Sequence, residues 1–375
     1  MDKKVGIITL DGYCNYGNRL QNYALQEVVK ELGFDVDTLV IPRKGSHPDY
    51  KKPSLVSRSY ELLKNSPQDF IRHVNNKVFG GKHKRLYTER TNLFRKFSKE
   101  FLSERFCEST GVVLEKMGNE YDYLIVGSDQ VWNPYNIKYA ENAFFLAFAN
   151  PQKRISYAAS FGIENLPGEF LSMIKPWLSE MKALSVRETS GSEIIKKLTG
   201  KNAEVSLDPT LLLSKEKWLS IAKKGPQVNR KYILVYFLGE QTKELKKTIE
   251  EIANRFSLDI IDLANLPNNE FYLTGPREFI DYISSAELVF TDSFHGTAFS
   301  IILETPFYVL ERIGTESMYS RIDTLLKKLN LKQRELNLAD RPSKKIFEID
   351  FPNVLEKLKK EQNESFDYLA VSLER

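Results

Sequence analysis

The segment 291-TDSFHGTAFS-300 brings a carboxylate, a hydroxyl and an imidazole together at Asp292, Ser293 and His295. The other three histidines, His47, His73 and His83, all lie far upstream. The apolar run 286-AELVFT-291 reads as a strand and the run after His295 as a helix, so the imidazole sits on a strand-to-helix turn. Backbone amides and the positive end of a helix dipole favour an anion at such a turn. A histidine there can hydrogen-bond a phosphate or carboxylate, or move a proton. In the plainer alternative, Asp292 or Ser293 caps the helix and His295 packs against it.

Other strand ends carry polar clusters of the same kind. In 15-NYGNRLQNY-23, Gly17 permits close backbone approach, and Asn15, Asn18 and Gln21 offer amides that read hydroxyls as donors and acceptors. The G-x-G-x-x-G pattern is missing, so no nicotinamide cofactor is expected, and an ordinary Asn/Gly turn explains the segment equally well. In 125-IVGSDQVWNP-134, Ser128, Asp129 and Gln130 can grip a carbohydrate, while Trp132 is either a stacking platform or a core residue. Ser156 and Ser160 of 156-SYAASFG-162 fall near the same region. Arg187, at the end of 183-ALSV-186, can fork two bonds to a carboxylate or phosphate, or pair with its neighbour Glu188. Arg312 and Arg321 flank 313-IGTESMYS-320 and can reach the same cleft.

These clusters require a scaffold that sets strand ends side by side. Apolar runs at 5–10, 36–41, 123–127, 154–160 and 183–186 alternate with helical spacing around 20–32, 168–182 and 188–198. A second series runs through 232–238, 258–263, 287–291 and 307–311, with helices at 241–255, 277–285, 296–304 and 317–329. Alternating strands and helices make parallel sheets covered on both faces. The expectation is an α/β protein of two doubly wound domains facing a cleft, 1–210 and 211–345, with a helix in 346–375 returning to the first. Ligands of such sheets bind beyond the carboxyl ends of the strands.

Bulk properties narrow the class. A 375-residue chain with 42% hydrophobic and 12% aromatic residues is expected to be globular, without a signal peptide or an apolar run long enough for a membrane span. Cys14 and Cys107 are too few for a disulfide framework, and no spacing suggests a metal. The expected place is therefore the cytoplasm, with reduced thiols. The net charge of +4 hides an imbalance: residues 43–105 hold 16 Lys+Arg against 6 Asp+Glu. That segment is expected to be a helical basic insertion in the first domain, helical from about 55 to 101. It suits an anionic partner such as a lipid pyrophosphate or the inner face of a membrane, or else a solvated face. No nucleic-acid motif accompanies it.

Taken in order, 15-NYGNRLQNYALQ-26, 127-GSDQVWN-133, 156-SYAASFG-162, 185-SVRE-188, 208-DPT-210, 291-TDSFHGTAFS-300 and 320-SRIDTLL-326 resemble the polysaccharide pyruvyl transferase family. The resemblance runs from about residue 5 to 330. It implies two Rossmann-like domains in a GT-B-like arrangement, and transfer of pyruvate from phosphoenolpyruvate to two hydroxyls of a cell-surface glycan precursor. Phosphoenolpyruvate is then a co-substrate, and no cofactor or metal is implied. The acceptor is a glycan or lipid-linked oligosaccharide. His295 would be donor contact and general acid, with Asp292 orienting the ring or acting as base. Arg187 would hold the donor, with Ser293, Gly296 and Thr297 beside it. Asn15, Gly17, Asn18, Gln21, Ser128, Asp129, Gln130, Trp132 and Ser160 would face the acceptor. Some members carry arginine two places before the histidine, where this chain has Ser293, so Arg277, Arg312 or Arg321 would supply the missing clamp. A nucleotide-sugar glycosyltransferase and a non-catalytic glycan-binding protein are the alternative readings.

Overall fold

The computed structural model describes residues 3–41, 82–107, 111–134, 142–164, 166–225, 228, 230–263, 270–313, 319–337 and 345–374. Most of the basic segment, residues 42–81, lies outside the described residues.

Strand β1 (Lys4–Ile8) leads into helix α1 (Tyr16–Glu31) and strand β2 (Asp35–Val40). Asn15 caps α1 by accepting from the Asn18 amide at 3.3 Å. Leu20, Ala24 and Val28 bury one face of the helix, and Gly33 follows its end with φ +90°, a left-handed position suited to glycine. The chain continues through α2 (Lys82–Phe101), β3 (Glu104–Phe106), α3 (Gly111–Asn119), β4 (Tyr123–Val126) and β5 (Arg154–Ser156). These strands form one parallel sheet in the order β3-β2-β1-β4-β5. Beyond β5, α4 (Gly168–Ser179), β6 (Ser185–Val186), α5 (Thr189–Thr199) and β7 (Glu204–Val205) extend the same half, and bridges at Ile155–Ala183 and Ala159–Val186 tie it on. The 43–105 stretch is corrected at its end: Glu104–Phe106 pair with β2 as an edge strand, so they belong to the sheet.

After α6 (Lys215–Ile221), the second half runs β8 (Tyr232–Tyr236), α7 (Lys243–Phe256), β9 (Asp259–Asp262), α8 (Pro276–Ser284), β10 (Leu288–Thr291), α9 (Phe294–Ile302), β11 (Phe307–Val309) and α10 (Ser320–Lys328). Its parallel sheet has the order β11-β10-β8-β9. The central strands β1, β4, β8 and β10 are buried almost throughout, as continuous apolar runs in two-sided sheets should be. Between the halves lies an aromatic seam: Tyr16 stacks on Phe279 at 4.3 Å, and Tyr23 meets Trp218 at 5.6 Å. Helix α11 (Phe351–Ser372) packs back on the first half, where Tyr368 donates to the Ser156 carbonyl and Ser365 accepts from the Leu207 amide.

Candidate functional site

Each sheet reverses its strand order at one point: between β1 and β4 in the first, and between β8 and β10 in the second. A cavity of about 240 Å³ opens beyond the carboxyl ends of those four strands. Its walls are Leu10, Asn15 and Asn18 after β1, Asp129 and Gln130 after β4, Leu238 after β8, Ser293, Phe294 and His295 after β10, and Arg312 and Arg321. The N-termini of α1 and α9 both border it, and neither has an acidic residue in its first turn. Two helix starts facing one cavity are an anion-binding arrangement.

Helix α9 is started by Ser293, whose hydroxyl accepts from the Gly296 amide at 3.3 Å. Gly296 is required because a Cβ there would lie 2.4 Å from Thr291 Oγ1. His295 is buried in the first turn of α9, and its ring lies directly over Gly17 of α1. Its Nε2 is 3.6 Å from Asp208 Oδ2, an ion-pair distance longer than a hydrogen bond.

Behind the cavity wall is a buried ionic cluster. Asp208 accepts from Thr210 N at 2.9 Å, Thr210 Oγ1 at 2.6 Å and Ser128 Oγ at 2.9 Å, and pairs with Arg187 Nη2 at 2.6 Å. Burial pushes the Asp208 carboxyl up, but Arg187 and His295 outweigh it and hold the group well below the usual carboxylate range. Asp129, at φ 68°, occupies a left-handed backbone position uncommon for a residue with a Cβ. It accepts from Asn18 Nδ2 at 2.5 Å and lies 3.5 Å from Arg187 and 3.6 Å from Arg321. Burial raises its carboxyl too, and Arg187, His295 and Arg321 together bring it below normal. Arg321 is pushed down to about 10, by burial first and then by Arg187. With the Gln130 amide oxygen turned toward Arg321, it accepts from Nη2 at 2.5 Å.

The residues expected from sequence therefore divide. His295, Ser293, Arg312, Arg321, Asn15, Asn18, Asp129 and Gln130 meet on the cavity wall. Several others lie off that wall. Asp292 is off the wall: its oxygens accept from the amides of Leu238 and Gly239, both at 2.7 Å, and from Arg312 Nε at 3.3 Å. Arg187 stands behind the wall, stacked 4.6 Å from the Phe294 ring and bonded to Ser128. Nor is it paired with Glu188. Arg277 points elsewhere, donating to Glu100 at 3.0 Å and to the Ile221 carbonyl at 2.7 Å. Trp132 is a core residue, stacked on Phe145 at 5.7 Å with its indole N–H on the Phe144 carbonyl. Gln21, Ser128, Ser160 and Thr297 are buried, with their polar atoms bonded inside the protein, and Gly296 packs on Thr291. Gly17 serves by being small under His295.

Two buried carboxylates beside the site were not among the residues expected to form it. Asp208 lay in 208-DPT-210, whose only local signal is a capped turn at Pro209–Leu211. Glu188 is fully buried, and its Oε1 accepts from Ser160 Oγ and the amides of Phe161 and Gly162. Burial raises the Glu188 carboxyl despite the nearby Arg321 and Arg187.

Two Rossmann-like sheets whose reversal points share one cavity lined by His295, Arg312 and Arg321 define a GT-B-like α/β protein. Residues 15–312 match the polysaccharide pyruvyl transferase family, and the chain belongs to it: a transferase of polysaccharide biosynthesis. Solved structures similar in layout include the UDP-GlcNAc 2-epimerase from Neisseria meningitidis bound to UDP-GlcNAc, at 11% identity, covering 94% of this chain and 100% of that one, with a TM-score of 0.44. The glycosyltransferase SnogD from Streptomyces nogalater is 9% identical over 99% of this chain and 100% of its own, with a TM-score of 0.44. At such identities these likenesses say nothing about ligands. No curated protein sequence matches the chain significantly.

Proposed function

We propose that the protein transfers pyruvate from phosphoenolpyruvate to two hydroxyls of a glycan precursor, closing a cyclic ketal. The observation that carries this reading is the convergence of His295, Arg312, Arg321 and two helix N-termini on one cavity in a chain of this family. Phosphoenolpyruvate is a small polyanion, and guanidinium forks with helix-start amides suit its carboxylate and phosphate. Arg312 and Arg321 take the clamping role left open by Ser293. His295 in its protonated form gives a proton to the methylene carbon, which makes the adjacent carbon electrophilic. One sugar hydroxyl adds there, phosphate leaves, and the second hydroxyl closes the ring. Of the two hydroxyl protons, one returns to His295 and the other departs with phosphate. Asn15, Asn18, Asp129 and Gln130 offer donors and acceptors to the sugar.

The basic imbalance of residues 43–105 suits an anionic, lipid-linked acceptor held at a membrane surface. No helix among the described residues is long and apolar enough to cross a membrane. Thermal unfolding with phosphoenolpyruvate, UDP or GDP tests the donor, and mass spectrometry of candidate saccharides tests the product. Stabilisation by phosphoenolpyruvate with a pyruvylated product supports the reading. Stabilisation by a nucleotide diphosphate alone, with glycosyl transfer, replaces it.

A further inference from the structure

We propose that Asp208 is the positioning residue of His295, holding hydrogen on Nε2 so that Nδ1 is the nitrogen that exchanges a proton in the cavity. The proposal rests on the pyruvyl-transfer reading for its chemistry, but its geometry stands by itself. Nε2 is sealed from solvent and has no hydrogen-bond partner among the described residues, so it is turned away from the cavity. Its ion-pair contact is with Asp208 Oδ2, at 3.6 Å. Nδ1 lies on the other edge of the ring, over Gly17, where α1 borders the cavity.

The carboxylate is built to stay put. Thr210 donates twice to Oδ1, while Ser128 and Arg187 hold Oδ2, so Asp208 cannot swing away from the imidazole. Asp292, the carboxylate adjacent in sequence, is consumed by Leu238, Gly239 and Arg312. Of the other charged groups, Asp129 interacts with His295 electrostatically, and Arg312 and Arg321 line the same cavity. From the buried cluster, Arg187 acts on Asp129 and Arg321, and Glu188 acts on Arg321. Asp129 is already engaged by Asn18 and both arginines. That leaves Asp208 as the acceptor for Nε2–H.

The proton transfer then balances simply. The imidazolium gives its Nδ1 proton to the methylene carbon of the donor, and the alkene π electrons form the new C–H bond. The neutral ring keeps Nε2–H toward Asp208, which remains ionised throughout. Catalytic hydrogen bonds are often long before a ligand is bound and tighten in the complex, so the 3.6 Å separation is expected to shorten when the donor binds. Asp208 ends the first half and His295 belongs to the second, so the pair is complete only when the halves are seated together.

The test uses the full chain labelled with 15N-histidine, without donor or acceptor. Two-bond nitrogen–proton correlations identify the tautomer of each neutral imidazole, and His295→Gln assigns the resonance among the four histidines. The expected result is the Nε2–H tautomer in the unsubstituted protein, and loss of that preference in Asp208→Asn. Nδ1–H as the resting tautomer overturns the proposal, as does an unchanged tautomer in folded Asp208→Asn. If Asp208→Asn does not fold, the measurement on the unsubstituted protein decides alone. Because no phosphoenolpyruvate is used, failure here is distinct from failure of the proposed reaction. Where transfer is measurable, folded Asp208→Asn should lose on the order of 10²–10⁴-fold in kcat with KM nearly unchanged.

Discussion

Gly17→Ala isolates the position of one ring. A Cβ at residue 17 would sit 2.0 Å from His295 Nδ1, 2.5 Å from Cε1 and 2.6 Å from Cγ. Ordinary contact begins at 3.4 Å, so the ring must withdraw by about 1.4 Å. It cannot do so freely, because Phe294 packs edge-on at 5.4 Å and Asp208 stands behind Nε2. Misplacing a catalytic group by about 1 Å costs roughly 10²-fold in rate, or about 2.7 kcal/mol of barrier. Stability should change far less. The substitution places alanine in a helix, a gain of ~0.5–1 kcal/mol, against ~1–3 kcal/mol for crowding. Circular dichroism and urea unfolding should therefore report a folded protein, while pyruvyl transfer falls by about 10²-fold or more. Turnover within threefold of the parent in Gly17→Ala would refute the assignment of His295 to the reaction.

Arg312→Lys and Arg321→Lys should each weaken phosphoenolpyruvate binding by about 10–100-fold in calorimetry, since charged hydrogen bonds contribute ~1.5–3 kcal/mol. Equal affinity in both variants would remove them from the anion site. Arg187→Leu is expected to act on folding, because it leaves Asp208 and Asp129 buried without their guanidinium, a loss of ~3–5 kcal/mol; unchanged urea stability would contradict the buried cluster. Glu188 gives a pH signature. Its folded carboxyl titrates above the unfolded value of about 4.3, so the native state holds a proton that the unfolded chain releases. Stability should be fullest below that pH and fall as pH rises through the folded value. Glu188→Gln should flatten this slope in urea titrations carried upward from about pH 4.3, and an unaltered slope would assign the effect elsewhere.

Much of the scaffold was readable because its central strands are continuous apolar runs and its helices carry the 3.6 period. Strands β3 and β7 were not. Glu104-Arg105-Phe106 and Glu204-Val205 are short, charged edge segments that pair only because a neighbouring strand is already in place. His295 and the Asn15–Asn18 turn were legible from position alone. Asp208 was not, since its partners Ser128 and His295 are distant in sequence and a local reading sees only a turn. Arg187 and Glu188 looked like neighbours that would pair. The extended backbone at Glu188 sends it to Ser160 and Gly162, while Arg187 turns to Asp208. Trp132 invited a sugar-stacking role because the aromatic residues that bury it, Phe145 and Phe161, arrive later in the chain.

Helix α11 has a consequence for how the molecule is made. Its Tyr368 reaches Ser156 across a separation of 212 residues, and its Ser365 reaches Leu207 across 158. A chain emerging from a ribosome can pair β1, β2 and β4 early, yet the face of that sheet near β5 stays bare until the whole second half has been synthesised. Contacts this remote slow assembly because loop closure must precede their reward. Apolar surface beneath Leu369 and Leu373, both fully buried in the finished protein, is then open to chaperones or to aggregation during that interval. Truncation before residue 351 should accordingly damage the first half, although the missing residues are nearest in sequence to the second.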